Sequence, residues 1–153
     1  IGWGQPLDKL LPIKGFGFSE TATLINQSAS GEGTNGFVAL NVPKKSNNFC
    51  FYYENHGYMA RISHQYQQGS QSANANQSGV TLAALYGRSY KQADFSSSVD
   101  LEEVLGRDNW PTITFDIVNL NKAKREGYFQ FPNAAFTSYD PGRTFQLGIR
   151  GKF

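Results

Sequence analysis

The sequence predicts an all-β chain of antiparallel strands built as the wall of a transmembrane β-barrel. Two observations carry that reading. From Phe145 onward, Phe145, Leu147, Ile149, Gly151 and Phe153 share one side, while Thr144, Gln146, Gly148, Arg150 and Lys152 share the other. Such period-two alternation suits a tilted strand with one face in lipid and one in water. A soluble sandwich strand shows the same alternation. The second observation separates the two: short and long connections alternate along the chain. Short turns fall near Pro12 to Lys14, Asn55 to Gly57 and Gly106 to Trp110, and long loops fall at 28–45, 68–89 and 122–140. Outer-membrane barrels sort their connections this way, with short periplasmic turns and long extracellular loops.

About six strands account for the pattern. The first covers 15–27, with Phe16, Phe18, Ala22 and Leu24 against Ser19, Thr21 and Thr23. Glu20 lands on its apolar face, either through a bulge that swaps faces or because it sits near the headgroup boundary, where charge costs little. The second, 47–54, sets Phe49, Phe51 and Tyr53 against Cys50, Tyr52 and Glu54. Asn55, His56 and Gly57 make a tight hairpin in which Gly supplies a positive φ. The third, 58–67, turns Tyr58, Ala60, Ile62 and Tyr66 outward and Arg61, Ser63, Gln65 and Gln67 inward. A polar low-complexity stretch, 68–78, follows. The fourth, 90–101, opposes Ala93, Phe95, Val99 and Leu101 to Asp94, Ser96, Ser98 and Asp100, and leads into a helical turn at 101–105. The fifth, 112–120, opposes Ile113, Phe115 and Ile117 to Thr112, Thr114 and Asp116, and the sixth is 145–153.

The bulk numbers bound the class. At 153 residues the chain holds one domain, and it is rich in Gly, Tyr and Phe. It has no apolar run long enough for a membrane-spanning helix. A formal charge of +2 gives no reason to expect nucleic acid. The single cysteine, Cys50, excludes an intrachain disulfide and a multi-cysteine metal site. His56 and His64 are the only histidines, one in a turn and one on an outward face, and they lack the further ligands a zinc site needs. Glu102 and Glu103 are adjacent and would face opposite sides of a strand, so they cannot act as a carboxylate pair. No catalytic constellation emerges; the chain reads as neither an enzyme nor a cofactor carrier.

Binding chemistry is better represented. Arg61, Asp94, Asp100, Asp116 and Arg150 all fall on the polar face, where a barrel would turn them to its lumen, either to pair structurally with one another or with a body filling the lumen, or to contact substrate directly. Lys122, Lys124, Arg125 and Glu126 form a short charge run in a loop, solvated or in contact with anionic lipopolysaccharide. Tyr128, Phe129, Phe131, Phe136 and Tyr139 are aromatics of the same loop, placed either to stack on sugar rings or to pack over the barrel rim.

Three ordered motifs resemble the TonB-dependent outer-membrane receptors. Pro141-Gly142-Arg143-Thr144-Phe145 with Leu147-Gly148-Ile149-Arg150 and the final Phe153 is similar to the family's closing strand. Tyr53-Glu54-Asn55-His56-Gly57-Tyr58-Met59-Ala60-Arg61 resembles its hairpin, and Asn119-Leu120-Asn121 resembles the step ending its penultimate strand. Gly151 departs, since an aromatic is common there. The resemblance implies a carboxy-terminal segment of a barrel of about 22 strands, with the plug domain and remaining strands outside this chain. It implies the outer membrane of a Gram-negative bacterium and import of a scarce ligand, an oligosaccharide or otherwise a siderophore, driven by the proton-motive force. The implied partners are the inner-membrane TonB complex through the plug, outer-membrane lipid and lipopolysaccharide, and the small ligand. The barrel-assembly machinery would read the terminal strand at Phe145, Leu147, Ile149 and Phe153. Two rivals are a passive porin-like channel and a soluble all-β carbohydrate-binding module.

Overall fold

A computed structural model describes residues 1–10, 12, 14–27, 39–73, 79 and 83–151. Its main sheet has seven strands in the order β1 (Gly2–Pro6), β2 (Phe16–Leu24), β3 (Lys45–Asn55), β4 (Tyr58–Gln67), β7 (Tyr90–Asp100), β8 (Thr112–Val118) and β11 (Thr144–Arg150). Every neighbouring pair is antiparallel, so these strands form an up-and-down meander. The β3–β4 connection is a two-residue turn with φ of 50° at His56 and 74° at Gly57. Two consecutive left-handed residues give the twist that matches paired strands. Between β7 and β8 lies α1 (Leu101–Leu105), which begins where the Asp100 carboxylate accepts from the Glu102 and Glu103 amides and ends at Gly106. Each is a standard helix boundary. Pro6 lies on an outermost strand, where a missing N–H leaves no ladder bond unmade. Among the described residues the sheet does not close on itself: β1 and β11 are its two edges.

The unbroken register sorts side chains into rows across the strands. Phe18, Phe51, Ile62, Phe95, Ile117 and Phe145 form one row on one side of the sheet. The next row on that side, toward the β3–β4 turn, holds Phe16, Tyr53, Ala60, Ser97, Phe115 and Leu147. Tyr58, Val99, Ile113 and Ile149 follow below it. Ring pairs bind the rows sideways, with centroids 5.7 Å apart for Phe16 and Phe51 and 4.8 Å for Phe16 and Tyr53. The opposite side carries Ser19, Cys50, Ser63, Asp94 and their polar neighbours.

Nothing among the described residues covers the apolar side. Leu147 keeps 75% of its surface exposed, Ile149 73% and Phe145 60%. Among the described residues only Ala83, Ala84 and Tyr90 are buried hydrophobic ones, and Tyr90 lies on the opposite, polar side. The main sheet therefore has one greasy and one wet side, and among the described residues no second sheet stacks on the greasy side to share a core with it.

A smaller sheet continues the main one at the end away from the β3–β4 turn. Its order is β10 (Ala135–Tyr139), β9 (Arg125–Phe129), β6 (Leu85–Gly87) and β5 (Gln71–Ala73). The connections expected as loops at 68–89 and 122–140 thus carry two antiparallel strands each. Strand β1 was also unforeseen. Glu20 sits in an uninterrupted register opposite Phe49, so no bulge moves it; its carboxylate accepts from Asn47 Nδ2 at 2.6 Å. Glu102 and Glu103 belong to a helix rather than a strand. Most of the connection expected at 28–45, together with Lys152 and the terminal Phe153, lies outside the described residues.

Candidate functional site

The junction between the two sheets is held by one asparagine. Asn119 follows β8 with φ of 59°, a left-handed conformation that Asn tolerates better than most residues. It is 3% exposed. Its Nδ2 donates to the Ala123 carbonyl at 3.1 Å and the Gly142 carbonyl at 2.6 Å, while its Oδ1 accepts from the Ala123 amide at 2.7 Å. Its own amide donates to Asp94 Oδ1 at 2.7 Å. Asn121 performs a related task toward β7, donating to the Lys91 carbonyl at 2.9 Å and accepting from the Ala93 amide at 3.0 Å. Each asparagine substitutes for ladder bonds where the strands stop, as an unsatisfied backbone group is costly. The Asn119-Leu120-Asn121 motif therefore has a local reason: it lets β8 leave the main sheet and re-enter the outer one as β9.

Polar side chains run from this point toward the outer sheet. The Tyr90 hydroxyl donates to Gln92 Oε1, and Gln92 Nε2 donates to Asp94 Oδ1 at 2.7 Å. The Arg125 guanidinium lies over the Tyr90 ring at 4.2 Å, joining the outer sheet to the polar side of the main one. Gln67, Tyr90, Arg125 and Gly87 line one shared cavity there of about 190 Å³. On the other side of the outer sheet, the Tyr86 and Tyr128 rings stack at 5.4 Å with Arg88 over Tyr128 at 5.3 Å. Arg88 also pairs with Glu126 at 3.5 Å.

The structure divides the five aromatic candidates. Tyr128 is occupied by its stack with Tyr86 and Arg88. Phe129 meets Phe136 edge-on at 4.7 Å, and both rings lie on strands rather than in a loop. Tyr139 ends β10 at 64% exposure, and Phe131 stands in the β9–β10 turn at 65%. Of the charge run, Lys124 pairs with Asp140 at 3.0 Å between the last strands. That hydrogen-bonded pairing raises the Lys124 pKa above its ordinary 10.5 and lowers that of Asp140, where the Gly142 amide adds a further bond.

Arg61, Asp94, Asp100, Asp116 and Arg150 share the polar side of the main sheet, as the alternation predicts. No ion pair joins them to one another. Asp94 serves the junction instead, and Asp100 caps α1. Asp116 and Ser96 are register partners, as are Arg150 and Thr112. Phe145, Leu147 and Ile149 project from β11 on the uncovered apolar side. Among the described residues, no cluster of His, Cys, Asp or Glu is arranged to hold a metal. Sequence reasoning missed Asn119 as a buried keystone and Tyr86, Arg88 and Tyr90 as aromatic and cationic partners. The signal for Asn119 was the Asn119-Leu120-Asn121 step at a strand end; Tyr86, Arg88 and Tyr90 had none. No family model, curated protein or solved structure matches this chain.

Proposed function

We propose that this chain forms part of the wall and outer rim of an outer-membrane β-barrel of the TonB-dependent receptor kind, importing an oligosaccharide with energy from the proton-motive force. One observation carries the membrane half of the reading: an unbroken antiparallel meander leaves an aromatic, aliphatic face uncovered while its other face is polar. From Tyr58 to His64 the apolar rows run about 20 Å along β4 at the usual strand rise, comparable to the roughly 25 Å apolar band of such barrels. On that side, the charged residues of the sheet, Glu20, Lys45 and Lys91, are in rows at or beyond the edge nearest the outer sheet. That distribution fits a headgroup boundary. Energy-coupled import rests on the three motif resemblances, with the hairpin and closing strand leaning toward oligosaccharide receptors.

Environment-sensitive labelling in the outer membrane tests the wall. In a Cys50→Ser background, probes on single cysteines at Ile62, Phe95 and Leu147 are quenched by a lipid-borne quencher, whereas probes at Ser63, Ser96 and Gln146 are not. Equal quenching of both sets removes the wall. Import is tested separately by uptake of labelled oligosaccharide in cells. Uptake ceases when the proton gradient is collapsed; persistence would leave a passive channel in its place.

A further inference from the structure

On the polar side of the outer sheet, Gly87 is the register partner of Gly127, and Gly127 that of Thr137. Two adjacent positions there carry no side chain. Leu85 and Phe129 pair on one flank of this bare patch, and Arg125 and Tyr139 on the other. The bulge between Ala135 and Thr137 inserts Phe136 beside Phe129. A groove of about 250 Å³ results, with Gly87 as its open floor, the Thr137 side chain reaching over Gly127, and Leu85, Phe136, Tyr139 and Arg125 around it. Phe136 is 46% exposed and Tyr139 64%, so both walls offer ring surface to solvent.

The chemistry of this groove matches one class of ligand. A pyranose ring has a flat apolar face of C–H bonds and a rim of hydroxyls. Backbone without Cβ atoms lets such a ring approach closely, aromatic walls cover its apolar face, and a few fixed polar groups orient it. Thr137 gives and accepts hydrogen bonds, and the Arg125 guanidinium offers a planar fork of donors. Arg125 is held over Tyr90, and among the described residues no ion pair occupies its fork. The Tyr86–Tyr128 side has its own opening, of about 380 Å³, but there the two rings stack on each other and Arg88 lies over Tyr128, so their faces are already engaged.

We infer that this groove is a subsite for one pyranose unit of an oligosaccharide. The inference rests on the import reading for the ligand's route, and on the groove's own surface for the ligand's class. It sits at the outer end of the polar side, beside the cavity that Arg125 and Tyr90 share.

Calorimetry on the complete protein in detergent, with maltohexaose, xylohexaose and hexagalacturonate as probes, tests it. At least one probe binds, and Phe136→Ala and Tyr139→Ala each weaken that binding about tenfold, the scale of one lost ring contact. Gly87→Ala weakens it as well: its added methyl meets only the Ser70 carbonyl oxygen, at 3.8 Å, so the fold accepts it while the floor rises. Phe131→Ala, an exposed aromatic outside the groove, leaves affinity unchanged. Binding of none of the probes, or wild-type affinity in all three groove variants, overturns the subsite. Energised cellular uptake of a probe alongside that result leaves the import reading standing. Groove-dependent binding without energised uptake does the reverse.

Discussion

At the scale of single residues, Asn119 concentrates more structural dependence than any other side chain described. It adopts a left-handed backbone and satisfies two carbonyls and an amide from within a buried site. Its substitutions separate these two roles. Asn119→Gly keeps the backbone conformation and strands the partners, at a cost of about 2–3 kcal/mol from several hydrogen bonds lost together. Asn119→Ala adds about 1 kcal/mol for a Cβ at positive φ. Hydrogen exchange at the Ala123 amide should accelerate in both variants, more in the alanine; equal protection in wild type and variants would mean the junction holds without its asparagine. The Lys124–Asp140 pair works differently, lying at the surface with each side chain about half exposed. Asp140 titrates below its ordinary 3.8, so its contribution is complete above that value and disappears as pH falls through the lowered one. Lys124 titrates above its ordinary 10.5, so its contribution is complete below that value and fades as pH rises through the raised one. Proteolysis within 122–143 should therefore be flat across neutral pH and increase only toward either extreme. High salt should blunt the effect, since exposed pairs are screened.

Elements were legible in the sequence in proportion to their length and alternation. The strand expected at 58–67 coincides with β4, Tyr58–Gln67, because apolar and polar side chains alternate there almost without exception. The expected boundaries at 15–27 and 112–120 overran β2 and β8 by a few residues, since strand ends are set by pairing rather than by composition. Strand β1, Gly-Trp-Gly-Gln-Pro, has no apolar periodicity and exists through its pairing with β2. Strands β5 and β6 are three residues each, too short to express a period. The aromatic residues of the candidate groove were visible as a cluster, but which of them share a side depends on the bulge in β10. One close contact within the main sheet was invisible for the same reason. A Cβ on Gly17 would lie 2.3 Å from the Tyr52 ring, which folds over that glycine from the neighbouring strand. Gly17→Ala should displace the ring and lose its cover, and Tyr52→Ala should lose the same contact from the other side. The double variant should then be no less stable than the worse single one, giving a coupling within about 0.5–3 kcal/mol. Strictly additive losses in a thermal unfolding series would show that the ring does not depend on the glycine.

At the scale of the whole molecule, the meander has a parity that constrains its assembly. With seven strands in alternating directions, β1 and β11 run the same way. They cannot pair antiparallel with each other, and two copies joined edge to edge around a common axis would meet in parallel seams. Antiparallel closure, the rule for bacterial barrels with their even strand numbers, takes an odd number of further strands. The proposed membrane wall turns the uncovered apolar side to lipid, and exchanging charge between the two sides tests that directly. Ile62 and Ser63 are successive residues of β4, with opposite faces and nearly the same depth. In the proposed wall Ile62→Arg would carry a guanidinium into lipid, at a cost of about 2–4 kcal/mol near the bilayer midplane. Ser63→Arg would turn the same charge toward the polar side beside Asp94, its register partner, and should cost little. Tyr66→Arg, two rows nearer the outer sheet and beside Lys91, should fall between them. The amount of heat-stable, protease-resistant protein in the outer membrane reads this order. A depth-graded loss on the Ile62 side with tolerance at Ser63 is the signature of a membrane wall. Comparable losses at Ile62 and Ser63 would instead mean that both sides of the sheet are packed against protein.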